Sequence, residues 1–335
     1  MLRHFLLISA AVLAASPPAL AQVQPAPVAP AAGTAQAVDK TGQTEDIRFR
    51  NELYNRMTVP VRLSGAGPFR FIVDTGANRT AISTELASRL NLAAGESGQM
   101  HSTTGVSTVA TARLPELQLT RKAVKQIDAP LLQGENIGAD GILGTDSLAL
   151  QRVEFDFQAQ TMAVVPANTP DFREEPGTIV VEARKKNGRL IVTEATANGR
   201  NIVVVVDTGS QVTVGNEALR KALKRSDLLP QTYPVDLISV TGDKLTGDYM
   251  FLRDLEIGGV GLKNLAVVFA PAHTFHQLNL DDKPAILLGM NAMRAFKKVS
   301  IDFAHRRLRV ILPQTSEMQA ELASRPWFGA PMVDR

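Results

Sequence analysis

The fold of this chain is decided by Phe71-Ile72-Val73-Asp74-Thr75-Gly76, which returns later as Val204-Val205-Val206-Asp207-Thr208-Gly209. Two further segments repeat in the same order: Ile142-Leu143-Gly144 as Leu287-Leu288-Gly289, and Val153-Glu154-Phe155-Asp156-Phe157 as Val299-Ser300-Ile301-Asp302-Phe303. The spacing from the Asp to the later Gly is longer in the second copy, which a loop insertion accommodates at little loss of stability. The chain therefore contains an internal repeat of one structural unit.

The segments between these landmarks are typical of strands and turns. Most of them are short, rich in Val, Ile and Leu, and bounded by Gly, Pro, Asn or Asp. Helical patterns are few and brief: Ser83 to Leu90, Glu217 to Lys224, and a turn or two after each later Gly. We therefore predict a mainly β protein with lobe one at residues 46–166, a linker at 167–177 and lobe two at 178–313.

The two Asp-Thr-Gly triplets carry the chemistry. One triplet would occur by chance in roughly 7 of 100 chains of this length, but here each copy follows three apolar residues and precedes a small one. Hydrolysis of an amide needs one group to accept a proton from water and another to protonate the carbonyl oxygen. Two neighbouring carboxylates that share one proton supply both. Asp74 and Asp207 are the candidate residues for such a catalytic pair.

The repeat, with its triplets and apolar-apolar-Gly segments, resembles the retropepsin and pepsin class of aspartic proteases over about residues 46–313. The resemblance implies two acid-protease lobes, each a closed or partly open β-barrel, related by a pseudo-twofold axis. Asp74 and Asp207 would face each other across that axis, and Thr75 and Thr208 would hydrogen-bond across it. The other residues implied to support the pair are Gly76 and Gly209 in the loops, Ser210 beside the second loop, and Gly144 and Gly289 beneath.

The two copies differ after the triplet, where Ala77 stands in the first and Ser210 in the second. Our hypothesis is that the Ser210 hydroxyl donates a hydrogen bond to Asp207 and favours its charged form. Asp74 would then carry the shared proton more often.

Family members cover the substrate with hairpin flaps, and two turn-rich segments lie at the expected place. They are Ser102-Thr103-Thr104-Gly105 in lobe one and Val240-Thr241-Gly242-Asp243 in lobe two. We expect Thr103, Thr104, Gly105, Thr241 and Gly242 to contact an extended peptide, although ordinary hairpins with no substrate contact remain an alternative. Neither segment has the tyrosine that pepsin-like flaps carry.

The N-terminus predicts export. Arg3 and His4 precede an apolar run from Phe5 to Ala15 and an Ala19-Leu20-Ala21 site, which is typical of a signal peptide at residues 1–21. Residues 22–45 are rich in Ala and Pro and predict a linker, while we assign no function to the tail at 314–335. We expect an exported protein, periplasmic or secreted, that is not stably inserted in a membrane once the signal peptide is removed.

Other classes of function lack support. The chain has no Cys, which excludes a thiol enzyme, and its 36 basic and 33 acidic residues do not favour nucleic acid. The basic run Arg184 to Arg189 contains Asn187-Gly188, typical of a solvated type I′ hairpin turn. His273 and His276 lack further ligands nearby, so we predict no metal, and nothing indicates a cofactor. Asp156 and Asp302 are interpreted as structural, and Asp281-Asp282 as a polar loop tip.

The predicted function is an aspartic endopeptidase with a polypeptide substrate, in which one chain supplies both carboxylates, so that a monomer suffices. The alternative is a catalytically inactive peptide-binding scaffold of the same fold in the cell envelope. A structural envelope protein tethered through the Ala/Pro segment is the third possibility.

Overall fold

The computed structural model describes residues 45–48, 58–119, 123–170, 175, 177–229 and 232–313. The predicted signal peptide, all but the last residue of the predicted linker, and the tail at 314–335 lie outside the described residues. Within the described part, no helix has the length and apolarity needed to cross a membrane.

Strands dominate the first half, with three short helices among the described residues. In chain order, the elements are β1 (Glu45–Arg48), β2 (Thr58–Leu63), β3 (Ala66–Val73), β4 (Ala81–Ser83), α1 (Thr84–Arg89), β5 (Gly98–His101), β6 (Val106–Val109), β7 (Thr111–Gln118), β8 (Ala123–Leu132), α2 (Gly134–Ile137), β9 (Gly141–Leu143), α3 (Thr145–Leu148), β10 (Gln151–Asp156) and β11 (Thr161–Pro166).

The second half follows the same plan. Its elements are β12 (Thr178–Glu182), β13 (Arg184–Lys186), β14 (Arg189–Val192), β15 (Ala195–Ala197), β16 (Arg200–Asn201), β17 (Val203–Val206), β18 (Thr213–Gly215), α4 (Glu217–Ala222), a 3₁₀ turn (Arg225–Asp227), β19 (Tyr233–Ile238), β20 (Lys244–Ile257), β21 (Val260–Phe269), α5 (His273–Gln277), β22 (Ala285–Leu288), α6 (Met290–Met293), β23 (Lys298–Asp302) and β24 (Arg307–Ile311).

The strands form one principal sheet in each half and a third sheet shared between them. Lobe one closes into a barrel, β2-β3-β9-β4-β8-β7, whereas the ten-stranded sheet of lobe two stays open. The shared sheet has six strands in the order β1-β11-β10-β23-β24-β12. The mainly β fold predicted from the repeat is confirmed, and the predicted short helices after each triplet and each later Gly are present.

The shared sheet forms where the two copies of one repeated segment pair with each other. β10 and β23 run antiparallel, with Val153 opposite Ile301 and Phe155 opposite Val299. Val153, Phe155, Val299 and Ile301 are all buried, so apolar burial holds the two halves in this register. The antiparallel pairing of equivalent segments is the arrangement that a twofold relation between the halves requires.

Asp156 and Asp302 close the same turn in each copy. The Asp156 carboxylate accepts a hydrogen bond from the Ala159 N–H at 2.7 Å, and Asp302 accepts one from the His305 N–H at 2.9 Å. Each bond spans three residues and caps the turn that follows its strand. The structural interpretation of both aspartates is confirmed.

The hairpin between β13 and β14 has the predicted type I′ turn. The prediction that its whole basic run is solvated was wrong for the last residue, Arg189. Asn187 and Gly188 both have positive φ, 48° and 82°, as a type I′ turn requires. Arg184, Lys185 and Lys186 are exposed, yet Arg189 is only 6% exposed. The Arg189 side chain points into the protein because it lies on the buried strand β14.

Candidate active site

Each Asp-Thr-Gly triplet lies in a tight loop at the end of a buried strand. β3 runs parallel to β9, and β17 runs parallel to β22, so that the apolar-apolar-Gly segment lies beside the triplet strand in both lobes. The backbone N–H of Asp74 donates to the carbonyl of Leu143, and that of Asp207 to the carbonyl of Leu288, both at 3.0 Å. These bonds fix where each aspartate leaves its strand.

Thr75 and Thr208 join the two loops by reciprocal hydrogen bonds, as the resemblance implies. Each backbone N–H donates to the hydroxyl of the other threonine at 3.0 Å. The Thr75 hydroxyl donates to the carbonyl of Val206 at 2.8 Å, and the Thr208 hydroxyl to that of Val73 at 2.7 Å. Both side chains are buried, so four hydrogen bonds hold the loops together where water does not compete.

The carboxylates of Asp74 and Asp207 lie against the glycine of the opposite loop. A Cβ placed on Gly209 would be 2.3 Å from Cγ of Asp74, and one on Gly76 would be 2.7 Å from Oδ1 of Asp207. No side chain fits at those distances, so both positions require glycine. The two carboxylates are therefore brought together in the gap that the missing side chains leave.

Backbone N–H groups orient both carboxylates. Oδ1 of Asp74 accepts from Gly76 at 2.7 Å and from Ala77 at 3.0 Å, and Oδ1 of Asp207 accepts from Gly209 at 3.1 Å. The backbone N–H of Ser210 also contributes to Asp207. Burial, followed by the charge of Asp74, raises the pKa of Asp207 to about 7 against these opposing hydrogen bonds and the charge of Arg189. Near neutral pH the pair can therefore hold one proton.

Gly144 and Gly289 lie beneath the loops, as predicted, in contact with backbone. A Cβ on Gly144 would be 2.4 Å from the carbonyl carbon of Arg79, and one on Gly289 would be 2.5 Å from that of Val212. Their N–H groups donate to the hydroxyls of Thr80 at 3.1 Å and Thr213 at 3.2 Å. The chain passes too close at both places for any other residue.

The aspartyl protease family model matches this chain twice, over residues 59–147 and again over residues 193–292. The two matches together cover more than half of the 335 residues, and each contains one Asp-Thr-Gly loop. The chain belongs to the aspartyl protease family. The two matches confirm the predicted two-lobed, retropepsin-like relationship. No curated protein sequence matches the chain.

The role expected of the Ser210 hydroxyl in this aspartyl protease site is wrong. Its Oγ donates to the carbonyl of Val212 at 2.7 Å, and a serine hydroxyl has a single proton to donate. Ser210 supports Asp207 through its backbone N–H instead. The raised pKa of Asp207 also favours the protonated form of this residue, whereas the hypothesis needed its charged form.

The first expected flap of the aspartyl protease fold is a hairpin that reaches lobe two. Flap one consists of β5, the turn at residues 102–105, and β6. The carbonyl of Thr103 at its tip accepts a hydrogen bond from the backbone N–H of His273, which begins α5, at 2.8 Å. Nδ1 of His101 and Nε2 of His273 share a hydrogen bond of 2.9 Å, and the two rings stack. Flap one is thus fastened to the opposite lobe.

The second expected flap reaches lobe one in the same way. Flap two consists of β19, the turn at residues 239–243, and the first residues of β20. A Cβ on Gly242 at its tip would be 2.8 Å from Nδ2 of Asn136 in α2. Val240 packs against an apolar cluster of lobe one that also contacts Ala77 and Met100. Each flap therefore touches the lobe that does not carry it.

The two flap tips share a Ser-x-Thr-Gly sequence that could have identified them as equivalent. Ser102 and Thr104 hydrogen-bond through their hydroxyls at 2.9 Å, and Ser239 and Thr241 do so at 2.7 Å. In both tips the threonine N–H also donates to the serine Oγ. The same turn is thus built twice, which indicates that Gly105 and Gly242 are counterparts.

Arg189, His273 and Asn136 are site residues that the sequence interpretation missed. Arg189 had a detectable signal, because Arg56 precedes Asp74 by the same number of residues as Arg189 precedes Asp207. Arg56 itself lies outside the described residues. His273 and Asn136 had no such signal, since each is placed by contacts with a flap from the other half of the chain. Among the described residues, no group of three or more His, Asp or Glu is arranged to hold a metal ion.

Proposed function

We propose that this chain is an active aspartic endopeptidase that hydrolyses peptide bonds with a water molecule activated between Asp74 and Asp207. The observation that carries the proposal is the pair of carboxylates held against each other's glycine by loops that Thr75 and Thr208 join. Two acids in contact are unfavourable in a structural role, whereas they are what acid and base catalysis on one water requires.

The environments of the two acids suggest their starting roles. Asp207, whose pKa is raised to about 7, holds the shared proton and donates it to the carbonyl oxygen of the scissile peptide. Asp74, whose Oδ1 accepts backbone hydrogen bonds of 2.7 and 3.0 Å, is the carboxylate that accepts a proton from water. When the tetrahedral intermediate breaks down, Asp74 returns this proton to the leaving nitrogen and Asp207 regains its own. No bond to the protein is formed.

The same pKa predicts the pH range of activity. Cleavage requires one proton on the pair, and that proton is lost as the pH rises through about 7. Activity should therefore be present at acidic to neutral pH and decline above it.

An extended polypeptide is the substrate that this arrangement favours. Each lobe carries a hairpin whose tip touches the other lobe, and each hairpin has main-chain groups that can hydrogen-bond to an extended chain. Thr103, Thr104, Gly105, Thr241 and Gly242 are the proposed contacts. We further propose that one exported chain, periplasmic or secreted, acts as a monomer, since both triplets meet within it.

The test is cleavage of a denatured protein and a mixed peptide library by purified residues 22–335, from acidic to slightly alkaline pH. Asp74→Asn and Asp207→Asn should each abolish cleavage, by about a thousandfold or more, while Asp282→Asn, an exposed carboxylate, should not. Cleavage that survives either dyad variant would refute the mechanism. A wild-type protein that binds peptides at every pH without cutting them would favour the inactive scaffold.

A further inference from the structure

We propose that Arg189 is a positioning residue of the carboxylate pair: it reaches from lobe two to hold the first Asp-Thr-Gly loop and keeps a fixed positive charge beside both aspartates. The inference rests on the proposed function and extends it by assigning a residue that sets the orientation of Asp74 and the proton affinity of the pair.

The Arg189 guanidinium is held at two points on opposite lobes. Its Nε donates to the carbonyl of Gly76 at 2.8 Å, and its Nη1 donates to Oε1 of Gln277 in α5 at 2.9 Å. With 6% of the residue exposed, the planar donor group has little freedom to turn. An arginine in this position joins the first loop to lobe two independently of the threonine pair.

One peptide group carries the effect of Arg189 to Asp74. The carbonyl of Gly76 accepts from Arg189, and the N–H of the same peptide, which belongs to Ala77, donates to Oδ1 of Asp74 at 3.0 Å. A hydrogen bond from a charged donor polarises an amide and strengthens the bond that its N–H makes. Arg189 thereby fixes the rotation of this peptide and hence the orientation of the Asp74 carboxylate.

The hairpin that carries Arg189 is itself anchored on both lobes. A Cβ on Gly188 in its turn would be 2.4 Å from Oδ1 of Asn78, in lobe one. On the other side, Nδ2 of Asn187 donates to the carbonyl of Gln277 at 3.3 Å, and the Lys186 ammonium donates to the carbonyl of Leu278. The positive-φ turn of Asn187-Gly188 therefore has a docking role beyond reversing the chain.

The charge of Arg189 acts on both aspartates. It lowers the pKa of Asp207, opposing the burial and the Asp74 charge that raise it. Burial lowers the pKa of Arg189 itself, and the two aspartates raise it, but a guanidinium remains protonated in proteins. The titratable groups that face Arg189 in the described structure are Asp74, Asp207 and His273, whose own pKa it helps to lower. Without Arg189, the pair would keep its proton to a higher pH.

The experiment is a titration of Asp207, which is observable whether or not the protein cuts peptides. The aspartate side-chain carbons are labelled with ¹³C, and the signal of Asp207 is assigned by its loss in Asp207→Asn. The titration is compared in the wild type, in Arg189→Met, which removes the charge, and in Arg189→Lys, which keeps it. We expect the midpoint to move to higher pH in the Met variant and to stay near the wild-type value in the Lys variant.

Peptide cleavage by the same proteins separates positioning from charge. Both Arg189 variants lose the link between the first loop and Gln277 of α5, so kcat should fall by about 10- to 100-fold with little change in KM. Only the Met variant should move the alkaline limb of the pH profile of cleavage to higher pH. Arg189→Gln, which can still donate to the Gly76 carbonyl, replaces the Met variant if the latter does not fold.

The outcomes distinguish this inference from the proposed function. A folded neutral variant with an unmoved Asp207 midpoint would overturn the inference, and so would a Lys variant that shifts as far as the neutral one. A wild type that titrates as described but cleaves nothing would refute the proposed function and leave the role of Arg189 in the proton affinity of the pair intact.

Discussion

Replacing Thr208 by Val tests whether the two loops are held by the reciprocal threonine bonds. Valine has nearly the same shape as threonine but neither donates nor accepts a hydrogen bond. The change removes the donor to the Val73 carbonyl, at 2.7 Å, and the acceptor for the Thr75 N–H, at 3.0 Å. Two backbone groups in a buried region would then lack partners.

The expected loss follows from these two groups. A buried polar group left without a partner costs about 1 to 3 kcal/mol, so Thr208→Val should lower the free energy of unfolding by about 2 to 6 kcal/mol. Thr208→Ser keeps the hydroxyl and loses one methyl group, which costs about 1 kcal/mol. Thr208→Ser therefore measures the packing contribution, and Thr208→Val measures the hydrogen bonds.

Urea unfolding followed by circular dichroism measures both variants. The reasoning requires a lower midpoint for Thr208→Val with an unchanged slope, since the surface exposed on unfolding is the same. It would be refuted if Val and Ser destabilised the protein equally. Thr75→Val should have a similar effect, and the double variant should lose less than the sum, because the loops relax once either threonine is gone.

Three further predictions concern the loops and the first flap. Gly76→Ala and Gly209→Ala should reduce cleavage about 100-fold or more, because the added Cβ would displace a carboxylate; Gly261→Ala, where a Cβ meets nothing within 4 Å, should cleave normally, and equal losses in all three would contradict the steric argument. Ser210→Ala should leave the pH profile of cleavage unchanged and destabilise the protein by about 1 kcal/mol, since its hydroxyl donates to the Val212 carbonyl. A shift of the acidic limb of that profile would instead support a hydrogen bond from this hydroxyl to Asp207. Acidification from about pH 7.5 to 5 should increase hydrogen exchange, corrected for intrinsic rates, in flap one more than in flap two. Burial, with the nearby His101, His276 and Arg189, lowers the pKa of His273 against the opposing charge of Asp281. Since the folded structure disfavours the charged form of this ring, acidification should weaken its contact with flap one; equal responses of the two flaps would argue against this link.

The repeat and its local chemistry were predictable from the sequence because they depend on neighbours along the chain. Apolar runs before Asp74 and Asp207 predict buried strands, and the triplets predict loops that need glycine. The short helices predicted after each triplet are also local, and the structure caps them with Ser83 and Asn216, whose side chains accept backbone hydrogen bonds. A duplicated pattern then gives the two-lobed, mainly β fold without knowledge of any long-range contact.

Which groups meet across the lobes was decided only by the tertiary structure. Arg189 belongs to a run of basic residues that looks solvated, but it lies on the buried strand β14, and the docking of its hairpin places it against Gly76. The Ser210 hydroxyl donates to the Val212 carbonyl, a partner that the triplet sequence did not indicate. The proton affinity of Asp207 depends on burial and on the charges of Asp74 and Arg189, neither of which is its neighbour along the chain. Sequence patterns report interactions between near neighbours, whereas electrostatic and steric contacts between distant segments exist only once the chain has folded.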